Sequence, residues 1–248
     1  MMRCSSAVLV FLAILHTGLL IPVGARAETA SLVIGASAAG GTTARPALPH
    51  SVELPAPRTR GTSSLEESLQ RRRSVREFAT GGLTLAELGQ LLWAAQGLTS
   101  RRGGRTAPSA GALYPLEIHV VVGDVTGLEP AVYRYVPAGH RLERLATGDR
   151  RSALAGAALG QRWLEKAPVT VAFSAVYGRI TGKYGERGVR YAHFEVGHAA
   201  QNLLLQASAL GLGAVVVGAF DDGRVREVLG LSGSEQPLEL VPVGHPEK

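Results

Sequence analysis

The chain of 248 residues holds one cysteine, Cys4, and it lies ahead of an apolar run that reads as a leader. Past that leader the sequence has no thiol, which excludes disulfides, thiolate nucleophiles and cysteine-ligated metals. A thiol-free chain also tolerates an oxidising compartment. Aromatic residues are few, 5% of the total, and no basic motif carries them interleaved, so nucleic-acid binding is not expected. Glycine-rich phosphate loops of the Walker or dinucleotide type are missing. So is the Gly-x-Ser-x-Gly elbow of a serine hydrolase: Ser109 lies in Pro-Ser-Ala-Gly, with no strand immediately before it.

What is present starts with a leader. Met1-Met2-Arg3 is a short basic start, Ala7 to Val23 is mostly apolar, and Ala25-Arg26-Ala27 fits a small-x-small cleavage site. Residues 1–27 are therefore read as a secretory signal peptide, cut after about Ala27, and the protein as periplasmic or secreted. Loss of Arg3 and Arg26 takes the basic count from 26 to 24 against 20 acidic residues, a net charge of +4. Residues 28–61 are rich in Ala, Gly, Thr and Pro, and are expected to be a flexible linker or an arm lying on the domain. One domain is expected over 62–248.

Within it, Ser64 with Glu67 and Thr84 with Glu87 have capping-box spacing. They predict a short helix ending at the arginines and a longer one through Leu88, Leu91, Leu92 and Ala95, closed by Gly97. Strands are predicted at Leu116–Val122, Val132–Val136, Arg141–Leu145, Val169–Val176, Leu212–Val217 and Leu238–Val243. Helices are predicted at Ser152–Leu159, Gln161–Lys166, Tyr191–Leu210 and from Asp221 or Asp222 to Leu229. Tyr177–Gly188 is expected to be a polar loop. Interleaved helices and strands place the fold in the α+β class, close to α/β.

Three stretches carry candidate chemistry. Arg71-Arg72-Arg73-Ser74-Val75-Arg76 packs four guanidinium groups and a hydroxyl into six residues, suited to an anionic ligand or a flat heteroaromatic ring. Pro108-Ser109-Ala110-Gly111 is a compact loop of small residues whose backbone can approach a ligand. Gly218-Ala219 follows a buried strand. No metal site is expected: His193 and His198 are five apart, about 140° off one helix face, and do not make a His-Glu-x-x-His motif around Glu195.

In their order and spacing, with Gly197-His198-Ala199-Ala200-Gln201-Asn202 and Gly211-Leu212-Gly213 between them, these stretches resemble the flavin-dependent nitroreductase superfamily. The likeness is to its SagB-type branch, which includes the thiazole/oxazole-forming dehydrogenases, and it covers about residues 65 to 246. The resemblance implies a nitroreductase fold, a central mixed, mainly antiparallel sheet flanked by helices. It implies a homodimer with FMN at the subunit interface and hydride transfer by a ping-pong cycle on a small-molecule or peptide substrate. Arg72 and Arg76 would reach the isoalloxazine or ribityl oxygens, Ser74 the phosphate, and Arg73 would complete the basic run. Pro108, Ser109, Ala110 and Gly111 would contact the flavin bound mainly to the other subunit. Gly218 and Ala219 would place backbone N–H groups near flavin N5. Lys183-Tyr184 matches the acid/base pair of the azole-forming dehydrogenases; the residues alone equally suit a surface loop.

Gly218 stands where the family usually has an acidic residue, and Leu113-Tyr114-Pro115 ends the loop where many nitroreductases carry asparagine. Val243-Gly244-His245-Pro246 resembles a late turn of the family, but no basic pair follows it as in longer members. The phosphate is therefore expected to rest on Ser74 and its neighbouring arginines. The alternative activity is a non-catalytic flavin or small-anion binding protein on the same fold.

Overall fold

A computed structural model describes residues 51–247. The expected leader over 1–27, with Cys4, and residues 28–50 of the expected linker lie outside the described residues.

In chain order the elements are β1 (Ser51–Glu53), α1 (Leu65–Arg71), β2 (Leu83–Thr84), α2 (Leu85–Gln96), β3 (Leu116–Val122), β4 (Val125–Thr126), β5 (Ala131–Val136), β6 (Arg141–Thr147), α3 (Arg151–Ala157), α4 (Trp163–Lys166), β7 (Val169–Val176), α5 (Gly178–Tyr184), α6 (Arg187–Ala209), β8 (Gly213–Ala214), α7 (Asp222–Leu229) and β9 (Glu235–Gly244). Both capping boxes form. Ser64 Oγ accepts the Glu67 amide and the Glu67 carboxylate accepts the Ser64 amide, each at 3.0 Å. Thr84 and Glu87 repeat the exchange at the start of α2. Each box satisfies two amide donors that a helix start otherwise leaves open.

Seven strands form one sheet in the order β1-β6-β5-β3-β7-β9-β8. Every neighbouring pair in it is antiparallel. The mixed character expected for the sheet comes only from its margins: a parallel Ser74–Ala214 bridge and a separate parallel β2–β4 pair.

Helices cover both faces, which explains why β3 and β7 are buried along nearly their whole length, polar His119, Thr170 and Ser174 included. Val120 and Val122 face the core under α2 and α6, while Val121 faces a second core under α3 and α7. Along β7, Val171 and Phe173 join the first core and Ala172 the second. Period-two alternation therefore divides one hydrophobic run between two layers.

The structure corrects three expectations. The described part of the expected linker lies on the domain as an arm and is no flexible tether: β1 pairs with β6, Leu54 is buried, and Arg58 exchanges hydrogen bonds with Gln90 of α2. Pro55 and Pro57 follow β1 and lie outside its ladder, so they break no strand pairing. Tyr177–Gly188 is not a loop throughout but contains α5, which buries one side chain, Ile180. The strand expected over Leu212–Val217 keeps ladder pairing only at Gly213–Ala214 and touches β9 again at a single Val217–Leu240 bridge. Among the described residues no helix is long and apolar enough to cross a membrane.

One buried polar cluster sits at the end of the second layer. Glu235 Oε2 lies 2.9 Å from His119 Nε2 and accepts Ser174 Oγ–H at 2.9 Å, while its Oε1 accepts Ser232 Oγ–H at 3.1 Å. Burial alone would push this carboxyl up; the bonds from His119 and the two serines outweigh it and hold the pKa at about 2. A depressed carboxylate contributes stability above its unfolded pKa and loses it as pH falls through the folded value. Glu235→Ala should therefore cost about 1–3 kcal/mol at pH 7, a penalty that shrinks between about pH 4.5 and pH 2. Urea unfolding of both proteins at pH 7 and pH 2.5 checks this; an equal gap at both pH values would refute it.

Candidate functional site

Helix α1 stops at Arg71 because Arg72 leaves helical geometry at φ −50°, ψ 122°. The chain then runs extended along β8, where Val75 donates its N–H to Ala214 O at 3.0 Å. Gly213 makes this approach possible: a Cβ there would stand 2.6 Å from the Val75 side chain. The four guanidinium groups have different fates. Arg71 lies 3.6 Å from Glu67 one turn earlier. Arg73 turns back and donates to the Gln70 and Arg72 carbonyls, covering open acceptors at the end of α1. Arg76 stacks over Trp163, 5.6 Å from the ring centroid. Arg72 is half-buried, and among the described residues neither its guanidinium nor the Ser74 hydroxyl is engaged. Arg72 lines a cavity of about 330 Å³ between the basic stretch and the C-terminal end of α6 at Leu204 and Ser208.

Beyond β8 the chain follows β9 to Val217, which exchanges hydrogen bonds with Leu240, and then turns away. Gly218 and Ala219 are exposed, and among the described residues their amides meet no acceptor. A Cβ on Gly218 would meet nothing within 4 Å, so the turn is open to an incoming group. Asp221 caps α7 by accepting the Arg224 amide at 2.9 Å, and Gln161 holds Ala219 O at 2.7 Å. Ser74 pairs with Ala214, four residues before Gly218, so about 13 Å of extended chain separates the two candidate sites. They share one sheet edge. Gln161, on Ala219, and Trp163, under Arg76, belong to the same short segment.

Pro108, Ser109, Ala110 and Gly111 lie elsewhere. Ser109 Oγ accepts the Tyr114 amide at 2.9 Å, and Ala110 donates its N–H to Glu195 Oε1 of α6 at 2.9 Å. Gly111 sits at φ +62°, a region costly for other residues. A Cβ there would fall 2.8 Å from Tyr184 Oη and 2.9 Å from Lys183 Nζ. The structure thus brings Lys183 and Tyr184 against the Pro108–Gly111 loop, with Lys183 Nζ 5.4 Å from the Tyr184 ring centroid and Tyr184 edge-on to Tyr191. Beside them Pro108, Ala110, Tyr191, Phe194 and His198 line an apolar cavity of about 290 Å³. Glu195 on α6 belongs to this loop and Leu204 to the Arg72 cavity; nine residues apart, they are about 14 Å distant along the axis. Within one chain the two groups are separate.

Glu195 is the residue that sequence reasoning missed in this role. It is 3% exposed, and its Oε2 is buried without a partner. Burial pushes its pKa up, with the Ala110 amide opposing. Its signal was positional: a carboxylate between Ala192, Val196 and Ala199, on the apolar stripe of α6. The two histidines near it diverge, His193 bonding Tyr177 Oη at 2.7 Å and His198 lining the cavity.

The first group suits an anionic ligand. Its donor set is a free guanidinium, a free hydroxyl and two free amides, with a cavity between basic stretch and helix.

Comparison with known proteins adds likeness in sequence and in structure. Residues 69–245 match the sequence model of the nitroreductase family. A protein of Methanocaldococcus jannaschii that carries the nitroreductase name, MJ1384, is 51% identical over 180 residues, 73% of this chain and 90% of that protein. The microcin B17-processing protein McbC of Escherichia coli is 31% identical over 132 residues, 51% of this chain and 48% of McbC. Among solved structures, one from Ralstonia eutropha, also bearing the nitroreductase name, superposes with a TM-score of 0.70 at 32% identity, covering 80% of this chain and 90% of that one.

Proposed function

This chain belongs to the nitroreductase family, with SagB-type processing proteins among its relatives, and on that premise we propose that it is an FMN-dependent oxidoreductase working as a homodimer. The observation that supports this most is the sharing of one sheet edge by the unengaged Arg72 and Ser74 side chains and the unengaged Gly218 and Ala219 amides. FMN, when bound, supplies the hydride-accepting and hydride-donating chemistry. Arg72 would hold the edge of the ring system that gains negative charge on reduction, and a guanidinium there favours the reduced form. Ser74 would hold the phosphate. The Gly218 and Ala219 amides would orient the ring by donating to it.

Lys183 and Tyr184 would carry the proton that accompanies hydride transfer from or to substrate. Both stand against Gly111, so the loop fixes where the proton is handed over. Because the loop and the Arg72 cavity are separate within one chain, the loop would serve the flavin of the second copy, and two copies would complete each site. We further propose export after removal of the leader, which makes a redox partner, rather than a cytoplasmic pool, the source of electrons.

The purified protein should be yellow, with a flavin absorbance band and about one FMN per chain. Colourless protein that leaves added FMN unbound in a titration would overturn the proposal. Anaerobic reduction of the bound flavin followed by reoxidation with nitroaromatic or quinone acceptors separates an enzyme from a flavin-binding protein. An enzyme reoxidises in multiple turnovers; a binding protein does not.

A further inference from the structure

A second polar cavity, of about 430 Å³, opens where β3 begins and β5 ends, between the β5–β6 turn and the last turn of α2. Its wall carries four guanidinium groups, of Arg105, Arg134, Arg141 and Arg179, against two carboxylates, of Glu117 and Glu143. Both carboxylates are engaged. Glu117 takes Arg179, while Glu143 takes Arg134 at 2.6 Å and Arg141 at 3.0 Å. Arg105 has no carboxylate among the described residues; it donates to Gln96 Oε1 at 3.0 Å and lies 4.2 Å from the centroid of the Tyr114 ring. The wall therefore holds two positive charges in excess.

The unpaired buried atoms tell the same story. Gln96 Nε2, Arg105 Nε and Arg134 Nε are all buried without a partner, and all three belong to residues lining this cavity. Gln96 is 1% exposed, so its idle amide cannot turn to bulk solvent. All three are donors. Buried donors without acceptors are costly and rare in folded proteins. Two spare positive charges on the wall, backed by donors that a small side-chain shift would bring to the cavity, suit an acceptor-only, negatively charged ligand.

We infer that this cavity is a binding site for a small oxyanion of charge −2, distinct from the Arg72–Ser74 cavity. Arg105 and the Gln96 amide would bind it at the floor, and Arg134 and Arg179 at the rim. Burial already lowers the pKa of Arg105, opposed by Tyr114 and Glu117, and a bound dianion would offset that desolvation. Occupancy would also join parts of the candidate active site. Arg179 lies on α5 with Lys183 and Tyr184 and donates to Tyr114 O, and Tyr114 is the residue on which Arg105 stacks.

Two probes distinguish the possible sources of such a dianion: inorganic phosphate stands for phosphate esters and succinate for dicarboxylates, with sodium chloride at matched ionic strength as control. Calorimetric titration is done on the full-length protein carrying Arg72→Ala, which silences the other basic cavity. Saturable binding of one probe at one site per chain, weakened at least tenfold by adding Arg105→Gln, is expected. Arg134→Gln, at the more exposed rim, should weaken binding threefold or more and serves if the Arg105 variant does not fold. No saturable heat with either probe, binding matched by chloride, or affinity unchanged in whichever variant folds would each overturn the inference.

Discussion

Arg72→Ala is expected to purify almost free of flavin and to bind added FMN roughly 10–150-fold more weakly, the loss of one charge-assisted hydrogen bond of about 1.5–3 kcal/mol. Four arginines crowd this stretch, and the sequence does not rank them. Their partners do. Arg71 is turned to Glu67, Arg73 covers carbonyls at the end of α1, and Arg76 lies over Trp163. Arg72 alone of the four is unengaged among the described residues while lining the cavity. Arg73→Ala should therefore change FMN affinity by less than about threefold and instead cost a fraction of a kcal/mol in stability, by uncovering those carbonyls. Flavin fluorescence titration of the two apoproteins decides between them. The reverse ranking would mean that the ligand sits elsewhere on the basic stretch.

The second large effect concerns turnover. Gly111→Val should lower kcat at least 100-fold while leaving FMN affinity within about threefold. A Cβ at this position would lie inside contact distance of both Tyr184 Oη and Lys183 Nζ, so neither could stay where it is. Displacing an acid/base group costs about 100-fold or more. The backbone at φ +62° adds about 1–2 kcal/mol of strain for any L-residue, more for a β-branched one. Gly111→Ala should fall between. Steady-state kinetics beside a flavin titration separates the two losses, and full activity in Gly111→Val would remove Lys183 and Tyr184 from the mechanism.

Much of this architecture was legible from residue order, for local reasons. The runs Leu116–Val122 and Val169–Val176 became strands over those same residues, because β-branched runs bounded by prolines and turns leave little choice. Ser64 and Thr84 announced their helices through glutamates at the third helical position. Helix α5 was hidden: Gly-Arg-Ile-Thr-Gly-Lys-Tyr has two glycines and one buried side chain, so packing on α6 decides its conformation rather than propensity. β1 was hidden by its three-residue length, by the prolines around it and by a partner, β6, that lies some 90 residues downstream.

The candidate site divides in the same way. Arg72, Ser74, Gly218 and Ala219 could be named from their motifs, but their common edge depends on a bridge between Ser74 and Ala214, 140 residues apart. The contact of Lys183 and Tyr184 with Gly111 is equally long-range. Glu195 was weighed only beside His193 and His198, for a metal motif; its burial under the Pro108–Gly111 loop depends on contacts distant in sequence. Spacing reports what is periodic along the chain; it does not report which distant loop a side chain meets.

The pairing of Ser74 and Val75 with β8 has a consequence for solubility as well. β8 would otherwise end the seven-stranded sheet with unpaired amides and carbonyls, a template on which other chains can stack into aggregates. The basic stretch covers that margin and places four cations beside it, so strangers are repelled where they would dock. The proposed ligand capture and this protection from amyloid-like growth would rest on the same half-dozen residues, so that a lesion there would threaten both at once.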